Sequence, residues 1–208
     1  MTLIDVLPDD VLLVIFDFCV PGFINEYGYS KRAVEGWPSL VHVCRGWRSL
    51  VFGSLHRLNL RLLCTPETPT RESLDIWPAL RLVIQGPISS PGFMVPPASV
   101  DNILGALGHS DRVYQIHLWV DLKADPQWDK ALATMQVPFP ELTYLQLLSL
   151  SSEPLSVIPD TFLGGSAPRL QYLQSTYLIS GNTETTFVCY SPHPASPYKY
   201  SSFWVHLT

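Results

Sequence analysis

The chain has 208 residues, of which 47% are hydrophobic and 15% charged, and its net charge is −5. This composition is typical of a globular protein of one or two domains and excludes a disordered chain. The acidic balance argues against a nucleic-acid binder that works through bulk electrostatics.

Two further features bear on the compartment. The sequence has no run of about 18 apolar residues and predicts no membrane span, and acidic residues before the first apolar stretch do not fit a signal peptide. The four cysteines are scattered without ligand spacing: Cys19, Cys44, Cys64 and Cys189. They predict buried, reduced thiols of an intracellular protein in the cytoplasm or nucleus.

The first predicted element is a helix that starts at Pro8. Proline suits the first helical position, and Asp9 and Asp10 favour the positive end of a helix. The following residues, 11–16, are apolar on every side, whereas the helix of an isolated domain has a polar back. Either this helix is the centre of a larger core, or one face packs in its own domain and the other binds a partner.

Two more short helices are predicted before residue 54. Residues 20–36 are predicted to form a loop, and Pro38 to mark the first turn of the apolar piece 40–44. The apolar residues of a third helix recur at helical spacing: Val43, Trp47, Leu50 and Val51. Three short helices can bury only part of this apolar surface, so something else must cover the remainder.

Two phrases in this segment resemble the F-box: Leu7-Pro8-Asp9-x-Val11-Leu12-x-x-Ile15-Phe16 and Leu40-x-x-Val43-Cys44-Arg45-x-Trp47-Arg48-x-Leu50. The resemblance covers about a quarter of the chain, and the long connection 20–36 departs from the compact F-box pattern. It implies a three-helix domain that binds the Skp adaptor and, through it, the cullin of an SCF-type ubiquitin ligase. The residues that it places on the adaptor-binding surface are Leu7, Pro8, Val11, Leu12, Ile15, Leu40, Val43 and Trp47. For Ile15 and Val43 a core role is equally open, whereas Leu7 and Pro8 favour the interface.

The body of the chain, residues 54–178, repeats a motif of the form L-x-x-L-x-L. Its copies begin at Val113, Leu142 and Leu170, 29 and 28 residues apart, a spacing typical of leucine-rich repeats. Segments 55–60 and 80–84 are irregular forerunners, and 128–135 and 156–163 are helix-like connectors. Two phrases, Leu58-Asn59-Leu60 and Trp77-Pro78-Ala79-Leu80-x-Leu82-Val83-Ile84, resemble the F-box/leucine-rich-repeat proteins of mushroom-forming fungi. The predicted fold is therefore α/β, with helices 1–53 followed by a short, irregular solenoid.

Alternation along the predicted strands sets which side chains face a partner. Ile116 and Leu118 are expected to point inward. The positions expected on the concave side, and therefore the candidate target-binding residues, are His117, Trp119, Tyr144 and Gln146. An alternative is that Trp119 and Tyr144 merely pack under a loop. The third copy breaks down at Ser175, where the motif requires leucine.

After Leu178 the repeat disappears, and residues 179–208 are predicted to form an irregular tail. Segment 181–186 is rich in turn-forming residues, and segment 191–200 contains three prolines. A repeat array normally ends in a capping unit, and the sequence suggests none. We therefore expect the array to be cut short, by truncation or by a gene model that reads a non-native end.

No catalytic, metal-binding or cofactor-binding constellation stands out. Gly164-Gly165-Ser166 lacks the spacing of a nucleophile elbow, Gly105–Gly108 lacks the residues of a phosphate loop, and the histidines have no tetrahedral partner set. We therefore expect a protein that is not an enzyme and has no cofactor.

The leading functional expectation is a substrate receptor of the SCF ligase, which binds the Skp adaptor through the helices and an unknown target protein through the repeats. A second hypothesis is a repeat scaffold unrelated to ubiquitin, whose helices only cap the solenoid and bury Leu7 and Pro8. A truncated, non-functional receptor is a third. An α/β-hydrolase-like enzyme would need a Ser/His/acid cluster, which we do not expect.

Overall fold

The computed structural model describes residues 7–19, 36–77, 79–89, 97–120, 126–149, 161–179 and 183–190. Nearly all of the predicted loop 20–36 and the end of the tail lie outside these ranges. The chain divides into two compact units. The first comprises 1–63 and 77–81, and the second comprises 64–76 and 82–208.

The described residues of the first unit contain the three helices that the sequence predicts: α1 (Asp9–Cys19), α2 (Gly36–Val41) and α3 (Arg45–Gly53). The backbone carbonyl of Pro8 accepts the hydrogen bond of the Leu12 amide at 3.1 Å, so α1 begins where the proline predicts. Val43, by contrast, was expected on the third helix and lies in the turn between α2 and α3. The reason is that α2 ends at Val41 and α3 restarts only after a cap at Cys44.

Aromatic side chains hold the first unit together. The rings of Phe16 on α1 and Trp47 on α3 lie 4.8 Å apart. Trp37 on α2 is fully buried, packs edge-on against Trp77 at 5.1 Å, and donates its indole N–H to the carbonyl of Arg61 at 2.9 Å. Such tilted ring pairs are more favourable than a face-to-face sandwich, and the indole hydrogen bond satisfies the polar atom.

The remaining elements alternate between strands and helices. In chain order they are β1 (Arg61–Cys64), α4 (Thr70–Ile76), β2 (Arg81–Ser89), α5 (Pro97–Leu107), β3 (Val113–Val120), α6 (Pro126–Thr134), β4 (Tyr144–Ser149), a 3-10 helix (Phe162–Gly165), β5 (Tyr172–Ile179) and β6 (Thr183–Tyr190). The strands form one sheet in the order β1-β2-β3-β4-β5-β6. The pairings from β2 to β5 are parallel. The fold class is α/β, as predicted from the sequence.

The repeated motifs occupy equivalent positions in the sheet. Ile84, Ile116, Leu145 and Leu173 pair with one another in succession across β2, β3, β4 and β5. Ile116 and Leu118 are buried, as the alternation predicts. Ser175 pairs with Leu147, so the break in the third copy falls at the expected position. The predicted connector 128–135 is helix α6, whereas forerunner 55–60 forms turns that precede β1.

In β2 a glycine, Gly86, occupies the position that pairs with Leu118 of β3. A Cβ atom at Gly86 would lie 2.7 Å from Cγ of Pro66, and the φ angle of this glycine is +155°. The proline ring therefore takes the space that a side chain fills in the neighbouring strands.

Strand β6 corrects the expectation of an irregular tail from residue 179. Residues 183–190 pair antiparallel with β5, with Thr183 opposite Ile179 and Tyr190 opposite Tyr172. The composition of 181–186 predicted turns and not a strand. The strand forms because of pairing with β5 and not because of local preference.

Within the described part of the chain the longest helices have 11 residues, far fewer than the roughly 20 that a bilayer requires. None of these helices can cross a membrane.

Candidate protein-docking site

Helix α1 is apolar on two opposite faces. Leu12, Leu13 and Phe16 are buried against its own unit. On the other side lies a set of exposed apolar residues, called here the outer stripe: Leu7, Val11, Val14, Ile15 and Phe18. Leu7 precedes α1, and the other four are spaced three, four and seven residues apart, which places them on one side of the helix. Exposed apolar surface that is contiguous in this way typically marks a binding site.

The structure separates the predicted adaptor-binding residues into two groups. Those that are exposed are Leu7, Pro8, Val11, Ile15 and Val43. Leu12 and Leu40 are each only 7% exposed and belong to the core of the helical unit. Trp47 is half-buried because its ring packs on Phe16. The sequence left core and interface equally open for Ile15 and Val43, and both are at the surface.

Two residues of the outer stripe were missed by the sequence analysis. Val14 is 49% exposed and Phe18 is 86% exposed, the highest value among the exposed large hydrophobic residues. A signal for both was present, because Leu7, Val11, Val14 and Phe18 follow helical spacing. It was overlooked because the buried face of α1 is equally apolar.

The turn that presents Val43 is held at both ends. The Cys44 thiol accepts the backbone N–H of Trp47 at 3.4 Å and so caps α3. Arg48 donates its Nε–H to the carbonyl of Val41 at 2.9 Å, at the end of α2. These contacts satisfy backbone groups that helix ends leave unpaired, and they keep Val43 in a defined position.

The second unit has a separate polar ladder on the face opposite Ile116 and Leu118. His117, Gln146 and Gln174 pair in register across β3, β4 and β5. Gln146 donates its amide to Oε1 of Gln174 at 2.6 Å, and the Tyr172 hydroxyl donates to the same oxygen at 2.8 Å. Aromatic rings run beside this ladder: Tyr144 stacks on Tyr172 at 4.1 Å and on His117 at 4.4 Å.

The hydrogen-bond directions define the tautomer of His117. Because the amide nitrogen of Gln146 donates to Gln174, its oxygen is free to accept from Nδ1 of His117, 3.1 Å away. The proton of the neutral ring therefore sits on Nδ1. Burial lowers the pKa of His117 below its usual value of 6.5, while the hydrogen bond to Gln146 acts in the opposite direction.

The predicted target-binding residues do share one face of the sheet. Their exposure differs, however, because His117 is only 2% exposed whereas Trp119, Tyr144 and Gln146 are half-buried. His117 is therefore a buried member of the ladder that hydrogen-bonds to Gln146. The other three are the residues that a partner could touch.

The cysteines only partly follow the expectation of buried thiols. Cys64 is buried, and burial raises the pKa of its thiol to about 12, against a smaller lowering effect of Arg112. Cys19 and Cys44 are exposed, since each lies at the end of a helix in the first unit. The side chain of Cys189 lies outside the described residues.

Among the described residues, no three His, Cys, Asp or Glu side chains are grouped so that they could hold a metal ion. No protein-family model, no curated protein and no solved structure matches this chain. Function must therefore be inferred from the two surfaces themselves.

Proposed function

We propose that this protein is a non-catalytic substrate receptor of an SCF-type cullin–RING ubiquitin ligase. The single observation that carries the proposal is the outer stripe, which leaves one apolar face of α1 exposed while the opposite face is buried. Because the segment resembles the F-box, the partner that we expect to cover this stripe is the Skp adaptor. The task of such a subunit is to position a target, so it needs binding surfaces and no reacting groups.

The exposure of the Leu7-Pro8 start supports docking over a capping role. Helices that merely shield the edge of a repeat array would bury these two residues within the chain. Leu7 is instead 37% exposed, and Pro8 is exposed as well. Fully burying an exposed leucine is worth about 1.5–3 kcal/mol, and the part of Leu7 that is still exposed would contribute a fraction of this.

The target-binding half of the proposal is supported by the repeated strands of the second unit. Parallel strands joined by helices, at a period of 28–29 residues, are typical of leucine-rich repeats, whose concave faces bind partners. The half-buried Trp119 and Tyr144 supply large aromatic groups, which are enriched in protein interfaces, and Gln146 lies beside them on the same face.

Co-purification with a recombinant fungal Skp adaptor tests the proposal. We expect the 208-residue chain to retain the adaptor, and the double variant Leu7→Ala/Pro8→Ala to retain much less of it at unchanged thermal stability. Ile76→Ala is the matched control, because Ile76 is 72% exposed but lies on α4 in the second unit. Absence of retention by the wild-type chain would overturn the proposed function.

A further inference from the structure

Two carboxylates form an acidic edge along one side of the outer stripe. Asp10 and Asp17 are seven residues apart on α1, so at about 100° per residue their directions differ by only about 20°. Both point roughly a quarter turn away from Val11 and Phe18. Both are exposed, and neither makes an ion pair or a side-chain hydrogen bond within the part of the chain that the structure describes.

The other side of the outer stripe is uncharged. Pro8 and Cys19 lie on that side, at directions less than a quarter turn from Ile15, and Leu12 beyond them is buried. Among the residues of α1 itself, charge therefore borders the apolar surface along one long side only. Because apolar contact is non-directional, it cannot by itself determine which way round a partner sits on the helix. Charge on one side only can determine the orientation of the partner, since the wrong orientation would leave both carboxylates without a counter-charge.

We propose that the partner that covers the outer stripe has an apolar groove bordered on one side only by lysine or arginine side chains, which meet Asp10 and Asp17. The helical rise of about 1.5 Å per residue places these cations about 10 Å apart along the groove. This inference rests on the proposed function and specifies the chemistry of the adaptor surface that the function requires.

Association kinetics test the inference with the 208-residue chain and purified recombinant Skp adaptor. Charges at the border of an interface act mainly on the association rate and its salt dependence. We expect wild-type association to slow as salt is raised from about 50 to about 500 mM, because the screening length shortens. The variant Asp10→Asn/Asp17→Asn should associate about three to ten times more slowly at low salt and show little further salt dependence.

A neighbouring residue supplies the matched control. Asp9 lies in the same first turn as Asp10 but points to the opposite side of α1 from Val11, so Asp9→Asn tests for effects on the helix end alone. We expect this variant to associate like the wild type. The single variant Asp17→Asn, outside the first turn, should show part of the effect of the double variant without any change at the helix start.

The outcomes separate the two proposals. If the wild type binds the adaptor but its association rate is insensitive to salt, or equals that of the double variant, the acidic edge has no role and this inference is overturned. If the wild type does not bind the adaptor at either salt concentration, the proposed function fails and the inference fails with it.

Discussion

Phe16 and Phe18 lie two residues apart on α1, and the first is fully buried while the second is 86% exposed. Two phenylalanine side chains within one helical turn therefore have opposite environments. Phe16 contributes to the free energy of unfolding through its contact with Trp47. Phe18 makes no comparable contribution to the free energy of unfolding of the unbound chain. We therefore expect its role to be in binding a partner.

Alanine variants of these two phenylalanines should separate stability from adaptor binding. We expect Phe16→Ala to lower the free energy of unfolding by about 3–5 kcal/mol, because it leaves a cavity in the helical core. Phe18→Ala should change it by less than about 0.5 kcal/mol and should reduce retention of the Skp adaptor. Thermal unfolding and co-purification measure the two effects; equal loss of stability in both variants would contradict the assignment.

Gly86→Ala should destabilise the sheet. The new Cβ would overlap the ring of Pro66, and relieving the overlap requires backbone movement that costs about 1–3 kcal/mol. Gly53→Ala is the control, since its added Cβ would meet no atom within 4 Å beyond its chain neighbours and the backbone of its own helix. Urea unfolding of both variants measures the difference, and an unchanged midpoint for Gly86→Ala would contradict the steric role of Pro66.

The buried imidazole of His117 should make stability fall in acid. Its pKa is lowered in the folded chain, so the unfolded chain binds a proton more readily once the pH drops below the usual value of 6.5. The free energy of unfolding therefore decreases from that pH downward until the folded-state pKa is also passed. Chemical unfolding between pH 7.5 and 5, compared with His117→Gln, measures the contribution of this residue.

His117→Gln is a suitable comparison because glutamine occupies the paired position on both sides, at Gln85 and Gln146. The variant should extend the amide ladder and lose part of the acid sensitivity. An identical decrease in stability with falling pH in the two proteins would assign the effect to other groups.

Tyr172→Phe should weaken the ladder without removing the ring stack. The substitution deletes the hydroxyl that donates to Oε1 of Gln174, and we expect a loss of about 0.5–1.5 kcal/mol in the free energy of unfolding. Arg169→Ala provides the contrast, because its ion pair with Glu141 is exposed and such pairs contribute about 0–1 kcal/mol. Denaturant unfolding should rank the two variants in this order.

Thiol labelling should distinguish the cysteines of the folded chain. The thiolate is the reactive form, so Cys64, with its pKa raised to about 12 and no exposed surface, should resist an alkylating reagent at neutral pH. Cys19 and Cys44 are exposed and should react first. Peptide mass spectrometry after brief labelling, with a denatured sample as reference, measures the difference. Early modification of Cys64 would indicate that β1 opens.

Much of the fold was predictable because local rules act strongly on particular residues. Pro8 with its following aspartates predicted the start of α1, and the repeated motif predicted β3, β4 and β5 in register. The orientation of α1 was harder to predict, because a helix that is apolar on all sides offers no polar face as a reference. Leu12 and Leu40 were therefore expected at the interface and are in the core.

Non-local contacts explain the other differences from the sequence predictions. Strand β6 forms because β5 offers an edge for pairing, and no local sequence pattern predicts this strand. Gly86 has no side chain because Pro66, twenty residues earlier, occupies the space beside it. The exposure of Val14 and Phe18 likewise depends on where α2 and α3 pack, which the spacing of apolar residues along α1 does not determine.

The parallel rings of Tyr144 and Tyr172 give the sheet an optical signature. Two phenols with planes 8° apart and centroids separated by 4.1 Å sit in a fixed asymmetric environment, which produces near-ultraviolet circular dichroism only while tertiary packing persists. Both belong to the second unit. The part of the spectrum that is lost when either tyrosine is replaced therefore reports on packing in that unit, with no added label.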